Sequence, residues 1–121
     1  MIPLKKEELM MDLSRGDICL VNFNPAKGGE MGKFRPAIIL SKNDELAMLD
    51  TVIVIPLSTR IEKESLPYRY TISQRNKLLQ DSDACIYEVR TLSKVRIKEK
   101  LAILTKEELQ TVQRALCEII N

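Results

Sequence analysis

The sequence predicts a mainly β domain with helices, in which a small, strongly curved antiparallel sheet is closed by a C-terminal helix. Three observations lead there. Short stretches rich in Val, Ile, Thr and aromatic residues recur between Gly, Pro, Asn and Ser turns, as in a series of brief strands. The last segment switches to helical spacing behind a capping signal, so one amphipathic helix follows the strands. Finally, 121 residues at 45% hydrophobic and 30% charged supply one ordinary core and little more. Short strands followed by a single helix bury their apolar faces by curling the sheet and laying the helix against it. A single domain is expected over residues 15–121, preceded by an N-terminal helical extension at 1–14.

In chain order, the extension carries Leu4, Leu9, Met10 and Leu13 on one side and Lys5, Lys6, Glu7 and Glu8 on the other, with Pro3 near its start. Arg15-Gly16-Asp17 reads as a turn rather than an adhesion triplet, and residues 18–24 follow as the first strand, ending at Asn24-Pro25. The loop Gly28-Gly29-Glu30-Met31-Gly32-Lys33-Phe34-Arg35-Pro36 comes next, with Gly or Pro at four of nine positions. Pro36 fixes its own φ and biases Arg35 toward extended backbone, which anchors a guanidinium at the mouth of the second strand, 36–41. Residues 42–49 fit a turn of helix. The third strand, 50–57, is the most β-branched and is expected at the centre, with Pro56 marking an edge or bulge. It runs out into Ser58-Thr59-Arg60. A fourth strand is expected over 68–73, a fifth over 84–92 and a short strand or 3₁₀ turn over 93–97. Thr105-Lys106-Glu107-Glu108 is a capping-box pattern, with Leu109, Val112, Leu116, Ile119 and Ile120 at helical spacing behind it.

Charge and cysteine content narrow the function. Nineteen basic against 17 acidic residues leave a net charge of +2, so any nucleic-acid site is a local patch and not the whole surface. Cys19, Cys85 and Cys117 lie in apolar runs without CxxC spacing, which fits buried free thiols in a reducing cytoplasm better than disulfides or zinc. There is no histidine, which weakens the metal reading further. No apolar stretch approaches the ~20 residues needed to span a bilayer, and no membrane partner is expected.

Three strand ends carry polar groups that could converge on one rim: Arg35, then Ser58-Thr59-Arg60, then Glu88, Arg90 and Thr91. An arginine fork suits a phosphate because its planar donors bind two oxygens at once and its charge is never lost. Neighbouring hydroxyls can donate to a third oxygen.

These residues resemble the MazF/PemK-type toxins of bacterial toxin–antitoxin pairs. The likeness rests on Arg15-Gly16-Asp17-Ile18, on Asn24-Pro25 leading to Gly29-Glu30-Met31-Gly32 and Arg35-Pro36-Ala37, on Thr51-Val52-Ile53-Val54-Ile55-Pro56-Leu57-Ser58, and on Arg90-Thr91-Leu92-Ser93-Lys94, in matching order over residues 14–120. The resemblance implies an SH3-like barrel with a C-terminal helix (a PemK/CcdB-like fold) and a homodimer. It also implies a metal-independent, cofactor-free, sequence-selective endoribonuclease neutralised by a cognate antitoxin. By the family pattern Arg35 and Ser58 are catalytic. The chain departs from that pattern with Ser58 where Thr is frequent, Met31 where Gln follows the loop Glu, and Tyr87-Glu88 ahead of the Arg-Thr step.

Such an enzyme cuts RNA by attack of the 2′-OH on the adjacent phosphorus, leaving a 2′,3′-cyclic phosphate and a 5′-OH. Arg35 and Ser58 would stabilise the added charge. With no imidazole in the chain, either a carboxylate serves as base, Glu30 first and Glu88 second, or proton transfer is only weakly catalysed. Glu30 fits a surface pair with Lys33 or Arg35 equally well, and Ser58 and Thr59 fit a turn cap. Lys27, Gly29, Lys33, Thr59, Arg60, Arg90 and Thr91 are the candidate RNA contacts, with Arg90 and Thr91 more often structural; Lys27, Lys33, Arg60, Arg69 and Arg75 fit either an RNA path or a plain solvated face. Tyr68, Tyr70 and Tyr87 fit either base stacking or partial burial in the core. The alternative function is a non-catalytic toxin or binding module of the same fold, such as an inhibitor of DNA gyrase.

Overall fold

Alternation of apolar and polar residues decides where this chain forms strands, and in the computed structural model, which describes residues 13–24, 33–62 and 65–121, the strands build one curled antiparallel sheet. The extension expected over 1–14 lies almost wholly outside the described residues, as does the glycine loop at 25–32. The described elements run β1 (Asp17–Asn24), β2 (Lys33–Ile39), α1 (Asn43–Met48), β3 (Thr51–Ser58), β4 (Arg69–Ile72), β5 (Ser82–Cys85), β6 (Arg90–Ser93), β7 (Ile97–Ile103) and α2 (Lys106–Ile120). The strand order is β4-β5-β3-β2-β1-β7, with β6 also paired to β3.

The central place expected for the third strand is borne out. One edge of β3 pairs with β2 and the other is shared in succession, Thr51 to Val54 with β6 and Leu57 and Ser58 with β5. That sharing explains why the single strand expected over 84–92 is two. The chain pairs with the end of β3, steps out through a 3₁₀ turn at Ile86–Glu88, and returns against its beginning. Pro56, expected at an edge or bulge, is instead buried in the central strand and forms the last rung with β2, opposite Ala37. A residue without an N–H ends a ladder. Strand β7 has no counterpart among the sequence-derived elements beyond its first residue. Two register shifts against β1 break the alternation that would have revealed it, and charged Lys98, Glu99 and Lys100 sit in its middle.

The two faces of the sheet bury different clusters. Ile18, Ile38, Ile55 and Leu57 pack with Val112 and Ala115 of α2, while Val21, Phe23, Ala37, Ile39, Val52, Val54 and Leu92 pack with Leu46 of α1 and with Leu13. Each fully buried Ile or Leu contributes about 1.5–3 kcal/mol, so the α2 contact is what fixes the curl. The ends of the sheet approach through the turn after β4, where the Lys77 N–H donates to the Leu101 carbonyl at 3.0 Å. All three cysteines are free thiols. Cys19 and Cys85 are buried, and burial, reinforced by Asp17, pushes the Cys19 thiol up to about 12. Cys117, expected to be buried, is exposed, because its place on α2 turns away from the face that carries Val112 and Ala115.

The capping box forms as the sequence predicts. Thr105 Oγ1 accepts from the Glu108 N–H at 3.0 Å, and Glu108 Oε1 accepts from the Thr105 N–H at 2.8 Å. Arg75 also grips this carboxylate, donating to Oε2 at 2.8 Å. The Arg75 hydrogen bond, which outweighs the opposing effect of burial, holds the Glu108 carboxyl below its ordinary range. A depressed folded-state value means stabilisation that is present above the unfolded value of about 4.3 and lost as pH falls through the folded one. Glu108→Gln should therefore cost about 1–2 kcal/mol in urea unfolding at pH 7. The gap from wild type should shrink as the pH is lowered below about 4.

Candidate functional site

The register of β2 against β3 builds the site. Ala37 faces Pro56, Ile38 faces Ile55 and Ile39 faces Val54, so the same register carried two residues past Pro56 sets Arg35 across from Ser58. Ala37 and Ile39 of β2 and Val52 and Val54 of β3 belong to the cluster beneath α1. By strand alternation Arg35 and Ser58 extend that face toward the strand ends. Beyond the proline the Arg35 side chain reaches β3 directly: Nε donates to the Leu57 carbonyl at 3.2 Å and a terminal nitrogen donates to it at 3.0 Å. The guanidinium is thus fixed against the peptide that joins Leu57 to Ser58.

Ser58 leaves the sheet in a turn in which its Oγ accepts from the Arg60 N–H at 3.1 Å. An oxygen that accepts in this way keeps its own proton to donate, so the cap and a contact to an anion are compatible. Glu88, partly buried at the end of the 3₁₀ turn, lies around the same end of the sheet. After burial, which raises the Cys85 thiol, the charges acting on that thiol include Arg69 and Arg35, which lower it, and Glu88, which raises it. Tyr87 is 52% exposed, and its phenol is pushed up by a hydrogen bond with Glu88 and by that group's charge.

The other sequence-derived residues are placed less uniformly. Arg90 faces Val54 in the β3–β6 ladder, four residues back from Ser58 or about 13 Å along the strand. Its guanidinium lies over the Phe23 ring at 5.4 Å from the centroid. Thr91 faces Ile53 and points to the opposite side of the sheet from Arg90. Lys33, at the start of β2, and Thr59 and Arg60, after β3, are exposed. Lys27, Gly29 and Glu30 lie outside the described residues. Tyr70 packs against the α2-side core, whereas Tyr68 is exposed.

Arg69 and Arg75, read from sequence as lining an RNA path, are both engaged in ion pairs, with Asp83 and Glu108 respectively. Asp83 was missed. Its side chain has 0% exposure; Oδ2 accepts from the Glu62 N–H at 2.8 Å and from Arg69 Nε at 3.0 Å, and Oδ1 accepts from Thr71 Oγ1 at 2.6 Å. Burial alone would raise this carboxyl, but the three donors overcome it and hold the group below its ordinary range. Asp81 and Asp83 flank one serine at the expected strand boundary, and only pairing with β4 distinguishes the buried acid from the exposed one.

Known proteins share this arrangement of strands and helix. A MazF from Deinococcus radiodurans, in a MazE-MazF crystal structure, superposes with a TM-score of 0.74 at 22% identity, over 89% of this chain and 95% of that one. The Mycobacterium tuberculosis toxin MazF-mt6 gives 0.70 at 17% identity, over 86% and 95%. A mycobacterial endoribonuclease solved in complex with its cognate antitoxin gives 0.65 at 18% identity, over 89% and 92%. At such identities these structures establish the fold. The sequence itself matches the model of the PemK-like, MazF-like toxin of type II toxin–antitoxin system over residues 14–120, and the chain belongs to that family.

Proposed function

We propose that this chain acts as a sequence-selective, metal-independent endoribonuclease on single-stranded RNA, as the toxin of a type II toxin–antitoxin pair. The observation that carries the reading is the Arg35 guanidinium held by two bonds to the Leu57 carbonyl, one peptide from the Ser58 hydroxyl. A positive fork and a hydroxyl fixed on neighbouring strand ends form a ready-made receptor for a phosphodiester whose charge grows during reaction. The 2′-OH attacks phosphorus and gives up its proton to a carboxylate. The bond to the 5′-oxygen then breaks, and that oxygen takes up a proton from solvent and leaves as a 5′-OH. Arg35 stabilises the equatorial oxygens, with the Ser58 hydroxyl donating beside it. Glu30 and Glu88 are the carboxylates assigned to proton transfer, and the Glu88 charge reaches the same buried thiol as that of Arg35. Lys27, Gly29, Lys33, Thr59 and Arg60 would follow the RNA backbone away from this point, and Arg90, seated on Phe23, would support it.

The proposed partners are a second copy of the chain and an antitoxin. Solved relatives include a MazE-MazF complex and an endoribonuclease with its cognate antitoxin. An acidic, partly hydrophobic antitoxin segment that folds on binding would compete with RNA for the rim around Arg35. The working compartment would be the cytoplasm. Among the described residues no helix is long and apolar enough to cross a membrane.

Induced expression in a bacterial host tests the reading. Growth should stop with messenger RNA cut at a short recurring sequence, and Arg35→Ala should abolish both effects. Growth arrest with intact RNA and loss of DNA supercoiling would replace the ribonuclease with a gyrase inhibitor of the same fold.

A further inference from the structure

The turn that presents Ser58 is clamped from two sides, and only one clamp belongs to the site described above. Arg35 holds the Leu57 carbonyl from β2. From the opposite side Asp83, which is Ser58's neighbour on β5, accepts the Glu62 N–H at 2.8 Å. Arg69, seated on the same carboxylate through Nε at 3.0 Å, turns its terminal nitrogen to the Arg60 carbonyl at 2.6 Å. The Arg60 N–H in turn donates to Ser58 Oγ at 3.1 Å. Hydrogen bonds therefore link a fully buried carboxylate, through one guanidinium and the backbone of Arg60, to the proposed catalytic hydroxyl.

We propose that the Asp83–Arg69 pair is a positioning device for the ribonuclease chemistry, fixing the Ser58–Arg60 turn so that the Ser58 hydroxyl meets the phosphate beside Arg35. The inference rests on the ribonuclease reading above. A buried ion pair is an inefficient source of stability, because apolar residues of similar volume usually do as well. What it supplies is direction: Arg69 uses two donors of one planar fork to bind the Asp83 carboxylate and the Arg60 carbonyl, which an apolar side chain cannot do. The Arg69 side chain is only 10% exposed, and both its Nε and one terminal nitrogen are taken up by acceptors within the protein, so it acts through Ser58 and not on RNA. Small displacements of a positioned group cost large factors in rate while leaving substrate affinity nearly intact.

Steady-state cleavage of one single-stranded RNA by wild type, Ser58→Ala, Arg69→Lys and the double variant tests this. Lysine keeps the charge and loses the fork, so Arg69→Lys should lower kcat about tenfold and leave KM within about twofold. On the Ser58→Ala background the same change should cost less than about twofold, since two residues acting on one group are not additive. Thr71→Val, which removes only the third bond to Asp83, offers a gentler perturbation if Arg69→Lys does not fold, and should lower kcat about threefold. Asp83→Asn keeps an acceptor for both donors and can reverse the bond to Thr71, so it should rescue kcat to within about threefold of wild type. Full kcat in folded Arg69→Lys, or losses that multiply with Ser58→Ala, would overturn the positioning role while the ribonuclease reading stood. A wild-type protein that leaves RNA intact would overturn the ribonuclease reading, and the positioning role with it.

Discussion

Arg35→Ala should cleave single-stranded RNA about a hundredfold or more slowly than wild type, equivalent to about 3 kcal/mol of lost transition-state stabilisation. The physical reason is preorganisation. Its two bonds to the Leu57 carbonyl already fix the guanidinium in the folded protein, so nothing need be ordered when charge develops on the phosphate. Stability should respond much less. The side chain is partly exposed and its two bonds share a single backbone oxygen, so the loss is about 1 kcal/mol, or a melting temperature lower by a few degrees. Arg35→Lys separates charge from geometry: it keeps the cation, cannot form the fork, and should recover only part of the rate. Multiple-turnover kinetics on a defined RNA oligomer, with thermal melts of the same preparations, check both halves of the prediction.

Asp83→Ala should be the most destabilising single substitution at this end of the sheet, at about 3–5 kcal/mol in chemical denaturation. Alanine leaves the Arg69 guanidinium 10% exposed without its counter-charge, and strips the Glu62 N–H and the Thr71 hydroxyl of their acceptor. Against a typical total stability of 5–15 kcal/mol this loss is large. Charge contributes as well as hydrogen bonding. Asp83 titrates below its ordinary range, so its stabilisation is present above the unfolded value of about 3.9 and drains away as pH falls through the lower folded value. Wild-type and Asp83→Asn proteins should therefore converge in stability in acid. An Asp83→Ala protein as stable as wild type at pH 7 would show that the pair contributes nothing net.

The elements that could be read from sequence are those whose signal is local. The α2 cap was legible because Thr105 and Glu108 are three residues apart and their reciprocal bonds close within one turn. The centrality of β3 was legible because a strand paired on both edges carries an unbroken β-branched run, here from Thr51 to Ile55. Arg35 and Ser58 were each legible through an adjacent punctuation mark, the Pro36 that follows one and the Leu57-Ser58-Thr59 exit that contains the other. What stayed hidden depends on pairing across distance. The split of residues 82–93 into β5, a 3₁₀ turn and β6 follows from two segments sharing one edge of β3. β7 is disguised by bulges that only its partner β1 reveals. Asp83 looks like a second turn acid until β4 brings Arg69 and Thr71 to it from 14 and 12 residues away. Arg69 was misread for the same reason, since a basic residue in a strand resembles a solvated one until its acid is known.

The central claim is that Arg35 and Ser58 form a phosphodiester-cleaving site, and end chemistry tests it most directly. Purified protein would be incubated with a long, structure-poor RNA in EDTA, and the cut sites and termini mapped beside an Arg35→Ala control. Discrete cuts carrying 5′-OH and 2′,3′-cyclic phosphate ends, present with wild type and lost with the variant, are the predicted result. RNA left intact by the wild-type protein, or cut equally by both, would contradict it.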